Sequence, residues 1–136
     1  MIRTNSKPWL QLDKLSAGIV ILIISTIGCI QETKNEIDPV KVSPDKFTVL
    51  LENEHVRVVE YTLLPGENDN WHTHLPKTSY IISGGKLKTV LENGEEFSVE
   101  EKTGSASWMD NIGKHYAENI GNTKVIVLLT EIKSLE

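Results

Sequence analysis

A single cysteine in 136 residues, Cys29, rules out an intramolecular disulfide, so packing and hydrogen bonds must hold whatever folds here. No stretch reaches the roughly 18 apolar residues that a membrane-spanning helix needs; the apolar segment Leu15 to Gly28 falls short. Basic clusters are missing as well. Residues 1–28 carry three of the 14 Lys+Arg and one of the 19 Asp+Glu, leaving 11 basic against 18 acidic residues in the remainder, a net of −7. Such a chain repels phosphate backbones, which argues against nucleic acid as a partner. The acids are scattered except for Glu92, Glu95-Glu96 and Glu100-Glu101, which read as a solvated hairpin face that discourages edge-to-edge pairing. From Phe47 onward no helix-length apolar period occurs, and no internal repeat or low-complexity tract is present. There is no Ser–His–Asp arrangement and no phosphate-cradling glycine loop, since Gly84-Gly85 reads as a turn.

Short β-prone runs separated by turn signals fill residues 47–132 instead. Phe47–Leu51 and Val56–Leu64 are expected strands joined by Glu52–His55, and Pro65-Gly66 ends the second. Thr78–Ile82, Lys86–Leu91 and Glu96–Val99 follow, the last two joined at Asn93-Gly94, a strong hairpin signal because a type I′ turn needs positive φ at both central residues. Ser105–Met109, Tyr116–Ile120 and Thr123–Ile132 complete eight to nine strands, which predicts an all-β, jelly-roll-like barrel.

Trp71-His72-Thr73-His74 is the segment that carries chemistry. Side chains two apart in an extended strand share a face, so His72 and His74 point together and offer a divalent metal two adjacent imidazoles, with His115 available as a third. Trp71 and Thr73 then lie on the opposite face, which places Trp71 on the outside or in a subunit contact with a second copy. If the register runs on from His74, Thr78, Tyr80 and Ile82 face inward with the histidines and Thr78 and Tyr80 line the pocket; a bulge near Pro76 would invert this. His55 reads as a surface turn residue, and Asn119 as a residue that fixes a turn through hydrogen bonds.

These residues resemble the cupin superfamily of small β-barrels. Gly66, His72, His74 and Gly85 fall on the first cupin motif, with Thr78 where that motif has a Glu; Gly104, His115 and Asn119 fall on the second, with Asp110 in place of its Pro and the turn glycine one place late at Gly113. The resemblance implies a single cupin barrel and one divalent metal held by His72, His74 and His115 without a carboxylate. Imidazole alone does not choose between Fe(II), Mn, Ni and Zn. Three histidines leave positions open for a small polar molecule, to be bound or, as in cupin dioxygenases and isomerases, converted. A non-catalytic binding module and a degenerate barrel kept for protein contacts are the alternatives, and the retained triad argues against the second.

The N-terminal segment reads differently. Arg3, Lys7 and Lys14, then the apolar run, then small residues describe a secretory signal over residues 1–28. Thr26-Ile27-Gly28-Cys29 resembles a bacterial lipobox, which implies cleavage before Cys29, its lipidation with palmitate-type acyl chains, and a lipid-anchored protein of the cell envelope. Ile30 rather than Asp after the cysteine favours the outer membrane over the inner one. An uncleaved signal anchor, or an ordinary secretory signal with an incidental cysteine, is the alternative. Polar residues 29–46 are expected to be a tether, and residues 47–136 the domain.

Overall fold

A computed structural model describes residues 36–133. The signal segment, Cys29 and the first part of the expected tether lie outside them. Within the described residues a one-turn helix, α1 (Pro39–Val42), precedes eight strands. These are β1 (Phe47–Glu52), β2 (Val56–Leu63), β3 (Lys77–Ser83), β4 (Gly85–Leu91), β5 (Glu96–Glu101), β6 (Ala106–Met109), β7 (His115–Asn119) and β8 (Val125–Ile132). They form two antiparallel sheets, ordered β1-β2-β8-β3-β6 and β5-β4-β7.

The jelly-roll expectation holds with one correction: the sheets do not close into a barrel, because no ladder runs between them. The segment between β2 and β3 pairs with β7 at two isolated bridges, Asn68↔Glu118 and His72↔His115, and not along a ladder. That segment carries Pro65 and Pro76, neither of which has an N–H for a ladder, and Gly66 holds φ at 79°. A continuous strand therefore cannot form at this seam.

Period-two alternation places the core. In β8, Val125, Val127, Leu129 and Glu131 are buried while the residues between them are half-buried. Val59, Tyr61 and Leu63 of β2 and Ile81 of β3 join them from neighbouring strands, and Leu87 packs on from the second sheet. Phe47 stacks on Tyr61 at 4.4 Å between ring centroids. Burying each such large side chain contributes about 1.5–3 kcal/mol, the main term holding the sheets together. The acidic hairpin strand β5 is exposed along almost its whole length, as its composition implied. Its turn differs from the two-residue type expected: Gly94 N–H donates to Leu91 O, so Glu92 and Asn93 are central and Gly94 follows at φ 86°.

The tether expectation fails for residues 36–46. Asp38 caps α1 by accepting from Val40 N–H, Pro39 occupies the first helical turn, and Pro39 and Ser43 are buried. Arg57 donates to Asp38 at 3.0 Å, and Thr73 N–H donates to Ile37 O at 2.9 Å. A polar composition concealed a strap whose polar groups are satisfied by the domain.

Candidate metal centre

Two reciprocal backbone hydrogen bonds assemble the site. His72 N–H donates to His115 O at 2.8 Å and His115 N–H donates to His72 O at 2.9 Å, which fastens the segment before β3 to the start of β7. His74 returns to the same side two residues on. All three imidazoles are buried, with ring centroids 4.5 Å apart for His72–His115, 4.7 Å for His72–His74 and 5.6 Å for His74–His115. Phe47 presses edge-on against His72 and His74, fixing their planes.

Each ring has its Nδ1 occupied by an acceptor. His72 Nδ1 lies 2.7 Å from Asn70 O, His115 Nδ1 lies 2.8 Å from Gly113 O, and His74 Nδ1 lies 2.6 Å from Glu131 Oε1. A carbonyl or carboxylate can only accept, so every Nδ1 carries the hydrogen and every Nε2 presents a lone pair. One ring nitrogen from each histidine lies within 4.8 Å of the other two, and the Nε2 atoms of His72 and His74 are 3.1 Å apart. Two lone pairs that close repel unless a cation lies between them. The donor set therefore fits a divalent metal: neutral imidazoles, oriented by fixed partners, converging on one point.

Burial keeps the rings uncharged. Desolvation lowers the pKa of His72, pushes His115 down to about 4 and drives His74 well below the imidazole range, with neighbouring Lys77 adding to each shift. Glu131, 1% exposed, bridges His74 to Arg57, whose Nε and Nη2 donate to Glu131 Oε2 at 2.7 and 2.6 Å. Asp69 accepts from Tyr61 Oη–H at 2.7 Å and from Ala117 N–H at 2.8 Å; burial raises its carboxyl to about 6. Asn119, fully buried, ties down the far end of β7 by donating to Leu63 O and Thr123 O and accepting from Gly121 N–H, the role its position suggested.

Of the residues singled out in the sequence, His72, His74 and His115 come together, and His55 is a surface residue with its side chain 71% exposed. Trp71 is 39% exposed, edge-on to Tyr116, and Trp108 is exposed with Nε1–H donating to Asp110. Thr78 and Tyr80 do not line the cavity; both are exposed on the outer face of β3. Residues 74–76 break the extended register at Pro76, and β3 begins afresh at Lys77, so Lys77, Ser79 and Ile81 face inward. Thr78→Glu should accordingly leave metal affinity unchanged, a result that metal titration of the variant would show.

The sequence reading passed over Lys77, Asp69 and Glu131. Only Glu131 left a signal: period two from Val125 places a carboxylate on the buried face of β8.

No sequence-family model and no curated protein matches the chain. Solved structures do. A cupin domain from Bordetella pertussis Tohama I is 25% identical with a TM-score of 0.60, over 65% of this chain and 92% of that one. A conserved protein with a double-stranded β-helix domain from Klebsiella pneumoniae is 24% identical, TM-score 0.52, over 66% and 78%. An RmlC-like cupin family protein from Methanocaldococcus jannaschii is 19% identical, TM-score 0.53, over 76% and 84%. Two antiparallel sheets flanking an inward-facing histidine cluster, together with these likenesses, give the chain the double-stranded β-helix fold found in small cupins.

Proposed function

We propose that this protein binds one divalent metal ion through the Nε2 atoms of His72, His74 and His115, and binds or converts a small polar molecule there. The observation that carries the reading is the acceptor facing each Nδ1: Asn70 O, Glu131 and Gly113 O take the three Nδ1–H groups and so leave three Nε2 lone pairs for an ion. With no carboxylate in the ligand set the ion keeps its full charge, and it would act as a Lewis acid on a bound oxygen. Fe(II), Mn, Ni and Zn all suit imidazole. Metal content of the full chain, purified without a His tag, tests the reading: one ion per chain is expected, and none after exposure to each of the four metals defeats it.

We also propose export and anchoring, on the basic and apolar N-terminal segment ending at the sole cysteine. The mature chain then begins at a lipidated Cys29 and resides in the bacterial cell envelope, at the outer membrane. Mass spectrometry of protein from a host with lipoprotein processing should give that mass; an unmodified Cys29 with residues 1–28 attached would support the signal-anchor reading in its place. A homodimer is the third element. Trp108, Tyr80 and Ile82 are exposed together on the outer face of β3 and β6, a larger apolar patch than Trp71 offers. Light scattering should give twice the chain mass, and a monomer at high concentration would remove this element.

A further inference from the structure

One row of side chains crosses the inner face of the first sheet beside the histidines: Arg57, Glu131, Lys77 and Met109, in register on β2, β8, β3 and β6. Its charges are unevenly matched. Glu131 is committed on both oxygens, Oε1 to His74 and Oε2 to Arg57. Lys77 is 5% exposed, and its Nζ is 3.7 Å from Met109 Sδ, a weak acceptor. Among the described residues it makes no ion pair. An ammonium withdrawn from water without an anionic partner is costly, and cavity walls keep such a group only when something else offsets it.

Lys77 lines the same cavity of about 90 Å³ as His72, His74 and His115, with room for several water molecules or a ligand of a few heavy atoms. The histidines bring no negative charge. Asp69 is held by Tyr61 and Ala117 N–H, and Glu101, half-buried on the same lining, makes no ion pair with Lys77. Apolar walls from Phe47, Ile81 and Leu129 lower the local dielectric, which strengthens any charge pair formed inside.

We propose that Lys77 is the anion-receiving group of the three-histidine cavity, and that its ligand is a small organic anion, a carboxylate or enolate, with one oxygen on the ammonium and a second toward the imidazole Nε2 atoms. The place of the second oxygen rests on the metal reading above; the pairing with Lys77 does not. Position 77 thus sets ligand specificity: it selects a negative group over a neutral one of the same shape.

Glycolate and its neutral isostere glycolamide are the probes, titrated calorimetrically into the full chain at matched ionic strength, both zinc-loaded and chelator-stripped. The wild type should bind glycolate at least about tenfold more tightly than glycolamide in the loaded form, the size of one charge-assisted hydrogen bond, and keep a smaller preference when stripped. Lys77→Met should erase the preference in the stripped form and reduce it in the loaded form, without reducing zinc content. It should also melt about 4 °C or more higher, since it removes an unpaired buried charge. A lysine that merely packs would shift the melting temperature and leave the glycolate-to-glycolamide ratio unchanged. Equal affinity for the two probes in the stripped wild type, or a preference that survives undiminished in stripped Lys77→Met, overturns the proposal. A wild type that prefers glycolate yet takes up none of the four metals overturns the metal reading alone. Should Lys77→Met fail to fold, Lys77→Gln supplies the same comparison.

Discussion

Replacing His72, His74 or His115 by alanine should release most of the bound metal, weakening affinity by about a hundredfold or more for each. Loss of a partner that merely orients a ligand costs about 10–100-fold, and losing a ligand itself costs more. With no carboxylate to share the load, two imidazoles hold little. Metal content after equilibrium dialysis reads the effect, and unchanged content in all three variants would make the histidines structural. The same site gives the protein a one-sided pH dependence. The folded imidazoles resist protonation, His115 down to about 4, whereas the unfolded chain takes up protons near 6.5. Their contribution to stability is therefore present above about 6.5 and lost as pH falls toward about 4. Asp69 acts in the opposite sense, since its folded carboxyl titrates at about 6, above the unfolded value. Glu101, whose carboxyl burial also raises, acts with Asp69; with three imidazoles against these two carboxyls, stability and metal retention should both decline between pH 6.5 and 4. Denaturant midpoints and metal content measured across that window test this, and a flat profile would contradict the neutral, lone-pair-bearing state.

Glu131→Ala should be the most destabilising single change outside the histidines, at about 3–5 kcal/mol. The cost comes from what remains: Arg57, whose partner at 2.6 Å is gone, and His74, whose Nδ1–H loses its acceptor. Asp38 still accepts from Arg57 at the strap, so part of the charge stays compensated. Metal affinity should fall as well, by about 10–100-fold, because the imidazole is no longer held in one tautomer and orientation. A denaturant midpoint lowered at unchanged slope, together with weaker metal uptake, is the expected pair of results. A variant of wild-type stability would mean that the buried Arg57–Glu131 pair contributes nothing.

The strands were readable because alternation is a local property. Val125 to Ile132 declares its buried face residue by residue, and the hairpin from Lys86 to Glu101 declares its turn with Asn93-Gly94. Where the chain leaves regular structure the reading failed for a stated reason. Facing beyond Pro76 depended on carrying a period of two through residues that are not extended, and one slip exchanged Thr78 and Tyr80 for Lys77 and Ser79. The strap at Ile37 to Lys46 looked like a linker because its satisfaction comes from Arg57, Glu67 and Thr73, far away in sequence.

By itself, then, the sequence determined an all-β domain, the absence of an intramolecular disulfide, and three histidines compatible with one metal. Hydrophobic period, cysteine count and residue chemistry are all written along the chain. Tertiary structure decided that the sheets stay unclosed, that the Nδ1 of each clustered histidine is spoken for, that Glu131 is bound between Arg57 and His74, and that Lys77 makes no ion pair among the described residues. The carbonyls that hold His72 and His115 come from residues two places away, but the contacts of His74 with Glu131, Arg57 with Glu131 and Lys77 with Met109 span 57, 74 and 32 residues, so that charge pairing is fixed only when the strands meet.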